Sequence, residues 1–130
     1  MIKPKSLSTQ DSITHEIIGA AIEVHRILGP GLLESAYSQA LEHELTLKGF
    51  SIEREVQIPV EYKGKKLGTG YRADLIIDNK VLIELKAQED NKRVFEAQTL
   101  TNLRLSGLKI GLLINFHNKK LVEGVKRFVF

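Results

Sequence analysis

The seven residues 81–87 (VLIELKA) constrain the fold of this chain more than any other part of its sequence. Apart from Glu84 and Lys86 they are apolar, as expected for a strand that is buried on both faces near the centre of a sheet. A second apolar segment, residues 108–116, follows a segment with helical periodicity at residues 92–105. The pattern therefore predicts an α/β domain with buried central strands.

The rest of the chain extends this prediction in both directions. Apolar residues spaced three and four apart predict two helices before Gly49, and a period of two predicts strands after it. Gly68 and Gly70 are expected to mark a bulge or a close approach of two backbones. The predicted order is α-α-β-β-β-α-β-(β): helices at Thr9–Leu28 and residues 33–48, strands at residues 52–60, 66–77 and 81–87, a helix at residues 92–105, a strand at residues 108–116, and either a last strand or an extended tail at residues 124–130.

The composition is typical of a globular protein and limits the metals that the chain would bind. At 130 residues, with 42% hydrophobic and 27% charged residues, we expect one domain over residues 1–130. Because no apolar run approaches the roughly 20 residues that cross a bilayer, and the polar N-terminus does not look like a signal peptide, we expect a cytoplasmic protein. The chain has no cysteine. A metal would therefore be held by carboxylates or imidazoles, which makes Mg²⁺ or Mn²⁺ the natural candidate.

The charge balance and the known short motifs exclude several classes of function. The net charge of +3 is a small basic excess that is typical of ordinary solvated surface, and it favours nucleic-acid binding only together with other evidence. The four histidines have no metal-ligand spacing, and no Walker, G-x-G-x-x-G or G-x-S-x-G element is present. Nucleotide-binding and serine-hydrolase classes are therefore set aside.

Asp74, Glu84 and Lys86 are charged residues within segments that otherwise resemble core. Strand residues two apart point to the same face, so Glu84 and Lys86 are expected on one side of the sheet. A tight turn centred near Asn79 would pair Asp74 roughly with Glu84. Two carboxylates this close repel each other unless a cation neutralises them. The pattern predicts a divalent-metal site beside Lys86, suited to phosphodiester hydrolysis; a buried ion-pair cluster of the same three residues is the alternative.

Two polar residues on predicted helices are further candidates for this site. Glu34 falls in the first turn of the second helix, where a carboxylate either interacts favourably with the helix dipole or faces the site and holds a metal-bound water. Gln98 is expected on the largely apolar side of the third helix, where its amide needs partners and would pin the lysine or a water.

Five short motifs occur in a characteristic order along nearly the whole chain. They are GLLESAY at residues 31–37, YRADL at 71–75, IELKA at 83–87, EAQ at 96–98 and GLLINF at 111–116. Together they resemble the bacterial GxxExxY proteins, which are grouped with the PD-(D/E)xK nuclease superfamily. The resemblance implies a restriction-endonuclease-like fold, in which helices flank a mixed β-sheet.

The resemblance also implies a role for individual positions. Asp74 and Glu84 would be metal ligands, and the backbone carbonyl of Leu85 a further ligand. Lys86 would be the catalytic lysine, and Glu34 and Gln98 would be catalytic residues carried on helices. Similar proteins often have tyrosine four residues after the glutamine, whereas this chain has Asn102, so no role follows for that position.

The favoured hypothesis is a Mg²⁺- or Mn²⁺-dependent nuclease that acts on DNA. One alternative is a noncatalytic nucleic-acid- or protein-binding module that keeps the nuclease fold. Another is an oligomeric scaffold built on exposed strands and the apolar tail at residues 127–130. Since specific DNA interfaces bury about 1,000–2,500 Å² of protein surface, we expect so small a domain to grip a duplex as a homodimer or with a partner.

Overall fold

The computed structural model describes residues 9–130. The first eight residues, on which the expectation about a signal peptide rests, lie outside the described residues. The elements are α1 (Thr9–Leu28), α2 (Glu34–Leu47), β1 (Ile52–Tyr62), β2 (Lys65–Ile77), β3 (Val81–Lys86), α3 (Lys92–Ser106), β4 (Ile110–Asn115), a short 3-10 helix (Leu121–Gly124) and β5 (Val125–Val129). Among the described residues, no helix has the length and apolar character needed to cross a membrane.

The predicted α/β class and order of elements are confirmed, and the differences lie at element ends. The apolar segment 108–116 is a strand only over Ile110–Asn115, and the last segment is a strand rather than a tail. α3 begins after Asn91, whose side chain accepts a hydrogen bond from the Val94 amide. It ends at Gly107, whose φ of 77° suits the left-handed conformation that glycine adopts easily.

Within residues 9–130, five strands form one mixed sheet in the order β1-β2-β3-β4-β5. β3 and β4 are parallel and are connected through α3, whereas the other neighbouring pairs are antiparallel. Apolar side chains of α1 and α2 pack with one face of the sheet, and those of α3 pack with the other. β3 and β4 are therefore covered on both sides, which explains their nearly continuous apolar sequences.

The β1–β2 pair is irregular at the position that the glycines predict. The register shifts between Pro59 and Glu61, across from the segment that contains Gly68 and Gly70. A Cβ added to Gly70 would lie 2.9 Å from the carbonyl oxygen of Ile58. The expected close approach of two backbones is confirmed.

A second irregularity lies at Glu55, whose φ of 52° is uncommon for a residue with a side chain. Ile52 packs in the core beneath α1 and α2, whereas Val56 and Ile58 pack in the core beneath α3. The period of two that predicts this strand would place residues 52, 54, 56, 58 and 60 on one face, and that expectation is wrong for the strand as a whole. The left-handed backbone at Glu55 interrupts the alternation, and by register it lies opposite Asp74.

Candidate active site

Asp74 and Glu84 lie across from each other where β2 and β3 stop pairing. The last paired residues are Leu75 and Ile83, and one more step in that register brings Asp74 opposite Glu84, as the short turn predicts. In place of a further backbone pair, Asp74 Oδ2 accepts a 2.7 Å hydrogen bond from the Leu85 amide. The hydrogen-bond ladder between β2 and β3 thus ends where the carboxylate of Asp74 binds the backbone of β3.

One cavity brings the predicted side chains together. Its lining consists of Glu34, Tyr71, Arg72, Asp74, Glu84, Lys86, Gln98 and Asn102. An adjoining cavity shares Glu34, Arg72 and Asp74 with the first and also includes Leu85 in its lining. The structure therefore places all six predicted residues at these two cavities, and Glu84 and Lys86 lie on the same side of β3.

Glu84 is a carboxylate within the core, with only 6% of its surface exposed. Burial raises the pKa of Glu84 to about 7, and the negative charge of Asp74 acts in the same direction. A hydrogen bond from Asn102 Nδ2 to Glu84 Oε1, 2.7 Å long, and the positive charge of Lys86 lower this pKa but do not cancel the effect of burial.

The pKa of Asp74 is also raised, and its cause is again mainly burial. The Leu85 amide, Lys86 and Arg72 lower the pKa of Asp74, whereas the negative charge of Glu55 raises it further. Both carboxylates are therefore harder to ionise than in water. The positive charges nearby do not offset the burial of the two carboxylates, which is the condition that a bound cation relieves.

The alternative of a buried ion-pair cluster is not what the structure contains. The ion pairs within 4.0 Å among the described residues lie elsewhere, and none joins Lys86 to Asp74 or Glu84. Lys86 Nζ instead lies 4.9 Å from the centroid of the Phe95 ring, a cation–π contact that holds the ammonium group beside α3. Lys86 therefore keeps its hydrogen-bond donors for another partner.

The chemistry of the donors fits a hard divalent cation. Carboxylate oxygens are the ligands that Mg²⁺ and Mn²⁺ prefer, and Mg²⁺ is usually held by one or two carboxylates together with water and substrate phosphates. Asp74 and Glu84 supply two carboxylates, and the Leu85 backbone lies against Asp74. No cluster of three or more histidine, aspartate or glutamate side chains suited to a metal occurs in the described part of the chain.

The segment before α2 fixes the position of Glu34. The hydroxyl of Tyr37 donates a hydrogen bond to the carbonyl of Gly29 and accepts one of 3.1 Å from the amide of Leu32. The Tyr37 ring stacks on Phe116 with ring centroids 4.4 Å apart. This tyrosine thus ties the loop before Glu34 to the core. Glu34 itself is exposed at the cavities and is the first residue of α2, so both roles considered for it stay compatible with its position.

Gln98 reaches the cavity, but from a different side of α3 than predicted. The buried residues of α3 are Phe95, Thr99, Asn102 and Leu103, and Gln98 is exposed. The prediction that Gln98 lies on the apolar side is therefore wrong. α3 carries apolar residues on several sides, and Val94 and Leu100 are also exposed, so periodicity alone did not identify the buried side.

Asn102 is the residue that the sequence analysis missed. It is 3% exposed, and its side-chain nitrogen donates to Glu84 while its Oδ1 is buried without a partner. The signal available in the sequence was its spacing, because a residue four positions after Gln98 lies on the same side of a helix. Asn102 orients one of the two candidate metal ligands.

The end of β3 is anchored by β4. Asn115 is buried and donates from Nδ2 to the carbonyl of Gln88, 2.9 Å away. The amide of Phe116 donates to the carbonyl of Lys86 at 2.8 Å. These bonds hold the segment that follows Lys86, so the carboxyl end of β3 has a defined position in the cavity wall.

Comparison with known proteins agrees with this fold. Among curated proteins, none matches the chain significantly in sequence. A solved structure titled "Crystal structure of SSO0001" has a similar fold, with a TM-score of 0.50 and 21% identity over 90% of this chain and 77% of that chain. The expected restriction-endonuclease-like fold is confirmed, whereas membership of the narrower GxxExxY group stays a prediction. A family model described as the PD-(D/E)XK nuclease superfamily matches residues 11–128, and the chain therefore belongs to that superfamily.

Proposed function

We propose that this protein is a divalent-metal-dependent nuclease that hydrolyses phosphodiester bonds in DNA. The observation that carries the proposal is the single cavity lined by Asp74, Glu84 and Lys86 in a member of a nuclease superfamily. Phosphodiester hydrolysis develops negative charge on the phosphate, and catalysts stabilise it with metal ions and positioned donors. The cavity combines carboxylates that would hold the metal ion with an ammonium group that would act as a positioned donor.

The residues of β2 and β3 divide the chemistry between them. Asp74 and Glu84 would hold Mg²⁺ or Mn²⁺, with the carbonyl oxygen of Leu85 as a further candidate ligand. When bound, the cation supplies Lewis acidity that stabilises charge on the phosphate. Lys86, which forms no ion pair with either carboxylate, would orient a water or donate to a phosphate oxygen. Its contact with Phe95 keeps the ammonium group at the cavity.

Glu34 and Gln98 would complete the site from the helices. Both are exposed and line the same cavity as Lys86, so each can hydrogen-bond to a water there without first losing a partner in the core. Glu34 would accept a proton from such a water through its carboxylate oxygen, and Gln98 would orient the water or Lys86 through its amide.

DNA as the substrate and a homodimer as the working form are parts of the same proposal. The support for a nucleic acid is the superfamily together with the basic excess of the chain, which favours an anionic partner. A homodimer would supply the contact area that one small domain lacks on a duplex. Light scattering at several protein concentrations measures whether the protein forms a dimer.

The test is cleavage of end-labelled single-stranded, double-stranded and branched DNA, and of RNA, with Mg²⁺, with Mn²⁺ and with EDTA. We expect cleavage that needs the metal and falls at least 100-fold in Asp74→Asn and in Lys86→Ala. Lys80→Ala is the matched control, because Lys80 is an exposed lysine in the turn between β2 and β3 and lines neither cavity. It should leave the rate unchanged.

A clean preparation that cleaves none of these substrates would reject the nuclease. Calorimetry tests the metal site itself, which the noncatalytic binding module would lack. Only a metal site predicts Mn²⁺ heat that vanishes in Asp74→Asn and in Glu84→Gln. Cleavage that persists in EDTA, or that survives in both Asp74→Asn and Lys86→Ala, would show that a contaminant is responsible.

A further inference from the structure

Arg72 lies where the two cavities of the candidate site meet. It contributes to the lining of both, and it precedes Asp74 by two residues on β2. Its side chain is exposed, and its positive charge is close enough to lower the pKa of Asp74. Any ligand that extends from one cavity into the other would therefore contact the guanidinium group of Arg72.

The guanidinium group of Arg72 has no ion-pair or hydrogen-bond partner within the described part of the protein. Arg54 lines one of the same cavities and forms an ion pair with Glu42, at 3.4 Å. Arg72 forms no ion pair and no side-chain hydrogen bond with any described residue, although Glu34 and Glu55 line a cavity with it. Its five N–H donors therefore stay available.

An anionic substrate needs such a cation at this site. The two cavities contain the carboxylates of Glu34, Glu55, Asp74 and Glu84, which oppose the approach of a phosphodiester. A divalent ion on two of them, together with Lys86, offsets only part of this charge. A guanidinium group adds a planar pair of donors that matches two oxygens of one phosphate, and this geometry gives stronger and more directional binding than an ammonium group does.

We propose that Arg72 binds a phosphate of the nucleic-acid backbone next to the bond that is cleaved. The inference rests on the proposed nuclease function and adds to it a residue that recognises the substrate before the reaction. The contact would be made to nonbridging phosphate oxygens, so it would not depend on the sequence of the nucleic acid.

The test compares Arg72→Ala with Arg26→Ala. Each variant loses one positive charge from an exposed arginine, but Arg26 lies on α1 and is paired with Glu23 away from the two cavities. Binding of labelled double-stranded DNA is measured by fluorescence anisotropy in EDTA, at 50 to 200 mM salt. We expect Arg72→Ala to bind about tenfold more weakly at low salt, with a salt slope smaller by about 0.9, which corresponds to one phosphate contact.

Steady-state cleavage with Mn²⁺ provides the second measurement. Arg72→Ala should raise KM by a similar factor, Arg26→Ala should change it less than twofold, and Arg72→Lys should restore the salt slope but only part of the affinity. Circular dichroism and thermal melting establish that the variants are folded. If Arg72→Ala is not folded, Arg72→Gln replaces it.

The outcomes separate this inference from the nuclease itself. Cleavage by the wild type with equal salt slopes and equal KM in the two alanine variants would overturn the role of Arg72 and leave the nuclease. DNA binding whose salt slope depends on Arg72, without any cleavage, would support the phosphate contact but reject the nuclease and, with it, the placement of Arg72 beside a cleaved bond. A wild-type protein that neither binds nor cleaves nucleic acid would overturn both.

Discussion

Replacing Glu84 by glutamine should stabilise the metal-free protein at alkaline pH. The pKa of Glu84 is raised from 4.5 to about 7 in the folded protein, mainly by burial. The folded state therefore binds a proton more tightly than the unfolded state does between these two values. Stability from this group is fully present below pH 4.5 and is lost as the pH rises to about 7. Glutamine keeps the shape, carries no charge and can still accept the hydrogen bond from Asn102.

The size of the effect follows from the change in pKa. Each unit of pKa difference between the folded and unfolded states corresponds to about 1.4 kcal/mol, so the wild type should lose about 3 kcal/mol relative to Glu84→Gln between pH 4.5 and pH 8. Because Glu84 is 6% exposed, solvent does little to screen this cost. A difference of this size is a large fraction of the stability of a small domain.

Urea unfolding in EDTA at pH 4.5, 6 and 8 measures the free energy of unfolding of both proteins. Glu61→Gln is the matched control, since Glu61 is exposed on β1 and its neutralisation should change the pH dependence by less than 0.5 kcal/mol, as is typical of surface sites. Parallel pH profiles for the wild type and Glu84→Gln would refute the reasoning, because they would mean that Glu84 ionises equally easily in both states.

Mn²⁺ at pH 8 should remove most of this difference in stability. A ligand present at 100 times its Kd stabilises the folded state by about 2.7 kcal/mol, and this gain should appear in the wild type and be absent from Glu84→Gln. If the two proteins gain equally, Glu84 is not a ligand of the ion.

Two further changes test how the surrounding residues hold the site. Asn102→Ala removes the hydrogen bond that lowers the pKa of Glu84 in the folded protein, so the loss of stability should continue to a higher pH than in the wild type in the same urea titrations. Thr101→Ala, one position away, should not change the pH at which the loss ends. Tyr37→Phe keeps the ring stacked on Phe116 but removes both hydrogen bonds of the hydroxyl. It should cost about 1–3 kcal/mol in free energy of unfolding, and an unchanged value would show that the loop before Glu34 does not depend on them.

Much of this fold could be predicted because it depends on local sequence. Helical and strand periodicity placed the elements in order, and the predicted ends of α1 agree with the structure. The turn between β2 and β3 is short, so it sets the register that brings Asp74 opposite Glu84. A pair of residues ten positions apart can be placed in this way because few backbone conformations close so tight a turn.

The parts that could not be predicted depend on contacts between distant segments. Asn102 meets Glu84 only because α3 crosses the sheet with one particular side inward, and its apolar residues do not specify that side. The change of face at Glu55 is equally hidden, because glutamate has no preference for the left-handed conformation and the alternating pattern continues on either side of it. The resemblance predicts Gln98 at the cavity, where it lies. Helical periodicity predicts it on the apolar side of α3, whereas its side chain is exposed.

The left-handed backbone at Glu55 and the buried carboxylate of Glu84 are the two features that local sequence preferences predict least well, and they lie at the same site. A left-handed backbone at a residue other than glycine costs on the order of 1–3 kcal/mol, and the raised pKa of Glu84 adds a cost of similar size at neutral pH. Neither is needed to form the sheet, since an extended residue at 55 and an apolar one at 84 would pack with less conflict. Both residues line the adjoining cavities, together with Asp74. A cation between the carboxylates would relieve the electrostatic part of this cost, so the conflict between local preference and tertiary structure supports the proposed metal site on grounds other than the resemblance.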